Sequence, residues 1–287
     1  MITENMVSFK LGLPARTNRV CIIRRLPGLG DIVSLLPVIT YYLLHGKEVH
    51  LVSYPKYGKL INRIKPAVVV HERVPVLPDC SYYNLDSPCP AGLYERNAGS
   101  NVAYSRIELF GLACGIQPQY LFAPSIEYKH RERRFIGIVL HATYKYRSPT
   151  FMMQIARFLK KYGVKLVGEN LSPVEDMTVT QCEVHELIDE LAECKAIISP
   201  DTGILHLAAA MRLPVYAIFG PTDPKIVCKY YDTVSYHVPK CPKHPCWHSP
   251  CTGSVHKISP CLNLEQNDLK ELSSNILQWL ESVGAVN

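Results

Sequence analysis

Four short stretches of this sequence carry side chains of the kinds that perform chemistry. In Gly28-Leu29-Gly30-Asp31 two glycines precede a carboxylate. Glycines let a backbone approach a ligand closely, and an acid at a helix start is favoured by capping and by the helix dipole. Alone, Asp31 reads as an N-cap or as a base. The stretch is no dinucleotide fingerprint, because Val33 replaces the third glycine and no acid closes the following strand at Ser53. In His141-Ala142-Thr143-Tyr144-Lys145-Tyr146-Arg147, the hydroxyl of Thr143 and the cations Lys145 and Arg147 suit a diphosphate, which needs donors and charge neutralisation, or else form a basic surface loop. In Ser199-Pro200-Asp201-Thr202-Gly203-Ile204-Leu205-His206 a turn opens a helix, where N–H groups face an anion and His206 follows one turn later. A second glycine turn, Phe219-Gly220-Pro221-Thr222-Asp223-Pro224, comes soon after.

The fourth stretch is cysteine-rich. Cys241, Cys246, Cys251 and Cys261 are spaced x4, x4 and x9, with His244, His248 and His256 among them and five prolines from Pro239 to Pro260. The other seven of the eleven cysteines lie scattered in apolar surroundings. Four thiolates on a stiff loop in a reducing compartment suit a closed tetrahedral structural site, zinc first and iron second. Free or redox-exchanging thiols and a disulfide pair are the other readings, and the spacing is not the C-x2-C of common zinc ribbons.

The elements that must position these residues alternate. NRVCIIR (18–24) predicts a strand, residues 32–44 a helix and EVHLVS (48–53) a second strand, which together make a βαβ unit. Strands at 67–71 and 81–85 and a helix at 105–114 continue the series. Residues 115–134 read as a linker, after which the alternation restarts: strand 135–140, helix 150–161, strand 164–167, helix 185–194, strand 196–199, helix 203–211, strand 215–219, and a closing helix over 265–283. The expectation is an α/β protein of two Rossmann-like domains, 1–125 and 126–287, with a ligand cleft at the carboxyl ends of their strands.

The composition is that of an ordinary globular chain: of 287 residues, 47% are hydrophobic and 20% charged, which disfavours disorder, collagen-like and coiled-coil classes. No apolar run is long enough to cross a bilayer, and MITENMVSFK does not resemble an export signal, so the expected compartment is the cytoplasm. The net charge of +6 divides as +5 over residues 1–130 and +1 beyond them. A basic first half suits an acidic partner such as a phosphorylated glycolipid, a nucleic acid or a membrane surface, or is simply a solvated surface.

RLPGLGDIVSLLPVI (25–39), LHAT (140–143), SPDTGILHLAAAMRLPVYAIFGPTDP (199–224) and, more weakly, SRIELFGLACGI (105–116) resemble glycosyltransferase family 9, the heptosyltransferase family. The resemblance implies the GT-B fold, an N-terminal acceptor domain, a C-terminal nucleotide-sugar domain and inverting transfer that needs no catalytic cofactor. It implies that Asp31 is the general base, in a loop with Gly28 and Gly30. The donor then falls to Thr143, Lys145 or Arg147, Asp201, Thr202, Gly203 and His206, beside Gly220, with Glu169 as a candidate for the ribose. The implied partners are a nucleotide-diphosphate sugar and an acidic acceptor, a glycolipid core, with peripheral membrane association. Two other readings stand beside it. One is transfer to a modified base in DNA, with Tyr82, Tyr83, Tyr94 and Tyr104 available for stacking. The other is a non-catalytic nucleotide-sugar-binding protein with a metal module.

Overall fold

The computed structural model describes residues 12–286 apart from 27, 87, 88, 249, 250, 252 and 255. The chain divides into two compact units, one ending at Ile126 and the other beginning at Glu127.

The first unit runs β1 (Arg19–Arg24), α1 (Leu29–Leu44), β2 (Glu48–Ser53), α2 (Pro55–Ile64), β3 (Val69–His71), β4 (Cys80–Asn84), α3 (Pro90–Ala98) and α4 (Arg106–Ala113). Its parallel sheet has the order β3-β2-β1-β4, with Ile22 level with Leu51 on one side and Tyr83 on the other. The near-continuous apolar runs of β1 and β2 are what a sheet interior requires, and Val20, Ile22, Val49 and Leu51 are fully buried. α4 begins with a reciprocal cap, in which the Ser105 hydroxyl accepts from the Glu108 N–H and the Glu108 carboxylate accepts from the Ser105 N–H. The chain runs outward from β1 through β2 to β3, then returns to place β4 on β1's other side. The order therefore reverses between β1 and β4, and the loops following these two strands flank a crevice at the carboxyl edge of the sheet. On one face of the sheet His50 contacts His71 (Nδ1 to Nε2, 2.9 Å) and the Glu48 carboxylate (Nε2 to Oε1, 2.9 Å).

The second unit runs β5 (Phe135–Ile138), α5 (Met152–Leu159), β6 (Val164–Leu166), β7 (Thr178–Val179), α6 (Leu187–Ala192), β8 (Cys194–Pro200), α7 (Gly203–Ala210), β9 (Val215–Ile218), α8 (Pro224–Val227), β10 (Val234–His237) and α9 (Gln266–Ser282). Its six parallel strands lie in the order β10-β9-β8-β5-β6-β7, so this sheet reverses between β5 and β8. Leu272, Ile276 and Leu280 of α9 pack into the core with Ile136, Ile138 and Ile198, which closes the unit as the apolar spacing predicts.

Several elements differ from expectation, and α2, α3, β7, α8 and β10 were not anticipated. The helix expected over 185–194 is regular only through Leu187–Ala192, because Cys194 already belongs to β8. α3 has no counterpart in the sequence reading: the glycine and proline in PAGLYERNA weaken its helical signal, although Pro90 stands at the helix start, where proline is tolerated.

Candidate functional site

In the first unit the crevice is built around Asp31. The sequence allowed Asp31 as an N-cap, but Gly28 holds that position with no side-chain cap, and the Gly28 carbonyl accepts from the Asp31 and Ile32 N–H groups at 3.1 Å each. Asp31 sits in the first turn and is only 5% exposed, and its carboxylate meets two guanidiniums. Arg24 at the end of β1 donates to Oδ2, and Arg106 at the start of α4 donates to Oδ1. Arg24 also donates from Nη1 to the Leu85 carbonyl at 3.0 Å, while its Nε finds no hydrogen-bond partner among the described residues. Arg106 is forked onto buried Glu95 of α3, Nε to Oε1 at 2.8 Å and Nη2 to Oε2 at 2.9 Å. Burial favours protonation of Asp31, but the Arg106 and Arg24 charges outweigh it and hold the carboxyl below its ordinary range. Asp86, just past β4, fixes the loop from the other side by accepting the N–H groups of Arg25 (2.6 Å) and Leu26 (3.2 Å) and the Arg25 Nε (2.7 Å). A Cβ on Gly28 would lie 3.1 Å from the Asp31 Oδ2, and the Gly30 carbonyl accepts the Ser34 hydroxyl at 2.8 Å.

In the second unit the loops after β5 and β8 meet. Arg147 lies 3.1 Å from the Asp201 carboxylate and donates from Nε to the Tyr146 hydroxyl at 2.9 Å. Asp201 is buried and also accepts the Thr222 hydroxyl at 2.6 Å, so it ties the turns after β8 and β9 together. Thr202 is the N-cap of α7, and its hydroxyl accepts the Ile204 N–H at 3.1 Å. Gly203 opens the helix at the carboxyl edge of the sheet. His206 is partly buried, with Nδ1 3.2 Å from the Tyr231 hydroxyl and Nε2 4.0 Å from Asp201. Thr143 and Lys145 are exposed on the loop after β5. Of the two cations, Arg147 is thus engaged with Asp201 while Lys145 faces solvent. Glu169 is exposed beyond the end of β6 and pairs through its backbone with Cys182. A Cβ on Gly220 would lie 2.6 Å from Leu262 Cδ1, so a larger residue there must displace the Leu262 side chain.

The cysteine-rich loop docks on these turns. The Cys246 and Trp247 N–H groups donate to the Pro221 carbonyl at 2.9 and 2.8 Å, and His244 Nε2 lies 3.1 Å from the Thr222 carbonyl. The Cys261 thiol is pushed up to about 12, by burial first and then by the nearby Cys241, Cys251 and Cys246. The other three thiols thus lie within electrostatic reach of Cys261, and a soft thiol set suits zinc or iron. No closed group of three or more metal donors is formed among the described residues.

Several residues of these networks escaped the sequence reading. Arg24, Glu95, Asp86 and Tyr231 carry no motif, and Thr222 stood in the second glycine turn without a role of its own. Arg106 did leave a signal, since a cation in the first turn of a helix opposes the dipole and needs an anionic partner. Of the tyrosines considered for base stacking, Tyr83 and Tyr94 are buried, Tyr104 is half-buried and Tyr82 is exposed. Tyr94 is buried with its hydroxyl accepting the Ala103 N–H, Tyr104 packs edge-on against it, Tyr83 donates to the Leu13 carbonyl and Tyr82 to that of Pro75.

Residues 176–255 match the family model for glycosyltransferase family 9 (heptosyltransferase). Lipooligosaccharide heptosyltransferase 2 of Haemophilus influenzae is 40% identical over 67 residues, which are 23% of this chain and 16% of that protein. The match thus spans about a sixth of that relative's length. Among solved structures, TibC, an iron-containing dodecameric glycosyltransferase of enterotoxigenic E. coli, superposes with a TM-score of 0.64 at 15% identity, covering 93% of this chain and 77% of that one. The E. coli ADP-heptose lps heptosyltransferase II superposes with a TM-score of 0.61 at 16% identity, covering 91% and 99%. The fold is GT-B, and residues 176–255 are similar to glycosyltransferase family 9 (heptosyltransferase).

Proposed function

We propose that the protein transfers a heptose from ADP-heptose to a hydroxyl of a glycolipid core, with inversion, on the cytoplasmic side of a membrane. The first unit takes the acceptor and the second the donor. The observation that carries this reading is the turn Asp201-Thr202-Gly203 inside the family-matched segment: Arg147 and Thr222 pin Asp201, and Thr202 caps α7, so the positive end of that helix is fixed at the reversal point of the sheet. Lys145 and Thr143 supply charge and a hydroxyl for the diphosphate, Glu169 reaches the ribose, and His206 lies along the sugar. Asp31 Oδ1 takes the proton from the acceptor hydroxyl, whose oxygen attacks the anomeric carbon. The bond to the diphosphate oxygen breaks and ADP leaves with the electron pair. Cations and the α7 N-terminus stabilise that leaving group as its charge grows.

A thermal-shift series with ADP, UDP, GDP and ADP-heptose tests the donor, since a ligand that binds only the folded state raises its stability as ln(1 + [L]/Kd). ADP and ADP-heptose should stabilise the protein, and stabilisation by UDP or GDP alone would reject the donor. Asp31→Asn should lower transfer by about 100-fold or more while leaving the ADP shift intact. Parent activity in that variant would remove the base.

The cysteine quartet is read as a structural metal site, by its donor chemistry and by the iron content of TibC. Cys241, Cys246, Cys251 and Cys261 would hold the ion, which would pin the loop and take no part in transfer. Metal analysis of purified protein should find one iron or zinc per chain. Four freely reactive thiols without metal would reject it.

A further inference from the structure

The two oxygens of the Asp31 carboxylate are not equivalent. Oδ2 is held by Arg24, whose side chain is 4% exposed, lies 5.8 Å from the Phe110 ring centre and is anchored on the Leu85 carbonyl. Oδ1 is held by Arg106, whose side chain is 32% exposed and bonded through its two other nitrogens to Glu95. Losing the Oδ1 contact thus leaves Arg106 with both bonds to Glu95, whereas losing the Oδ2 contact would strand a buried guanidinium that already lacks a partner at Nε. The exposed side of the carboxylate is therefore the side whose clamp is easier to move.

We propose that Arg106 is a positioning residue, a guanidinium tethered to Glu95 that covers Oδ1 of Asp31 in the free protein and is displaced from it by the acceptor hydroxyl, while Arg24 keeps Oδ2 fixed. The inference rests on Asp31 being the base. The charged groups facing the carboxylate are Arg24 from β1 and Arg106 from α4, with Glu95 of α3 behind Arg106 and the Arg25–Asp86 pair beside the β1 loop. A carboxylate between two guanidiniums stays ionised but is a weak base. Moving Arg106 aside as the acceptor arrives strengthens it at the moment a proton must be taken.

The test titrates Asp31 in protein labelled with 13C at the aspartate side-chain carboxyls, with Asp31→Asn assigning the signal. Arg106→Gln should raise the Asp31 midpoint by about one unit or more, a tenfold gain in proton affinity. Arg106→Lys, which keeps the charge and protects against a failure to fold, should restore most of the difference. An unmoved midpoint in Arg106→Gln overturns the proposal. In the second arm, ADP release from ADP-heptose is followed from pH 5.5 to pH 8.5. Arg106→Gln should move the acid limb of kcat upward and stay within about tenfold of the parent at the alkaline end. A loss equal at every pH overturns the displaceable clamp and makes Arg106 part of the substrate site. An active Asp31→Asn would instead remove the base itself, whatever the titration gives, so the two failures are told apart.

Discussion

Thr222→Val tests the join between the turns of the second unit. The side chain is 1% exposed and valine keeps its shape, so the change removes one donor and little packing. The lost bond is the 2.6 Å contact from the Thr222 hydroxyl to the Asp201 carboxylate, which keeps Arg147 at 3.1 Å on the same oxygen and His206 at 4.0 Å on the other. A hydrogen bond to a charged group contributes about 1.5–3 kcal/mol, and a buried carboxylate left short of a donor belongs in the middle of that range or above it. At about 2 kcal/mol, and about 2–4 °C per kcal/mol for a unit of this size, Tm should fall by about 4–8 °C. Circular dichroism melts at pH 7.5 read the shift, with Thr222→Ser, which keeps the hydroxyl, as the control. The Thr222 carbonyl also receives His244, so ADP protection should weaken as the β8 and β9 turns part. A shift below about 1 °C would show that Asp201 is satisfied without Thr222, and the account of the turn would fail with it.

Gly220→Ala should cost about 1–3 kcal/mol, because its Cβ would press on Leu262, which is 1% exposed and cannot retreat; chemical denaturation measures it, and Leu262→Val in the same chain should recover much of the loss. The His71 pKa is depressed, by burial first and by His50 second. A depressed folded value means that stability is present above the ordinary histidine range and is lost as pH falls through it towards the folded value. The urea midpoint should therefore drop between pH 7.5 and pH 5.5, and less steeply in His71→Gln; equal slopes would remove His71 as the cause.

How far the sequence could be read follows from the range of the interactions. The apolar runs of β1, β2, β5, β8 and β9 and the 3.6-residue stripe of α9 were legible because they are local. The glycine turns at 28–31 and 199–203 were legible because backbone approach demands those residue types. Strand order was not legible, since nothing in β4 says that it pairs with β1 rather than β3. The partners of Asp31 were hidden for the same reason: Arg106 is 75 residues away in sequence, and it meets Asp31 only after α3 and α4 have folded back. Asp201 illustrates the converse. Its place in the motif pointed to a ligand, while its contacts show it bracing the turn through Arg147 and Thr222.

Trp247 has a use of its own. It is 3% exposed, adopts φ 44° where a bulky residue is strained, and donates its backbone N–H to the Pro221 carbonyl beside Cys246. The sequence has one other tryptophan, Trp279, packed on Tyr216 in α9. The cysteine-rich loop therefore carries its own optical reporter. In Trp279→Phe protein the remaining emission comes from a single indole shielded from water, and undocking of the loop would be seen as a red shift and as quenching by iodide, in real time and without any substrate.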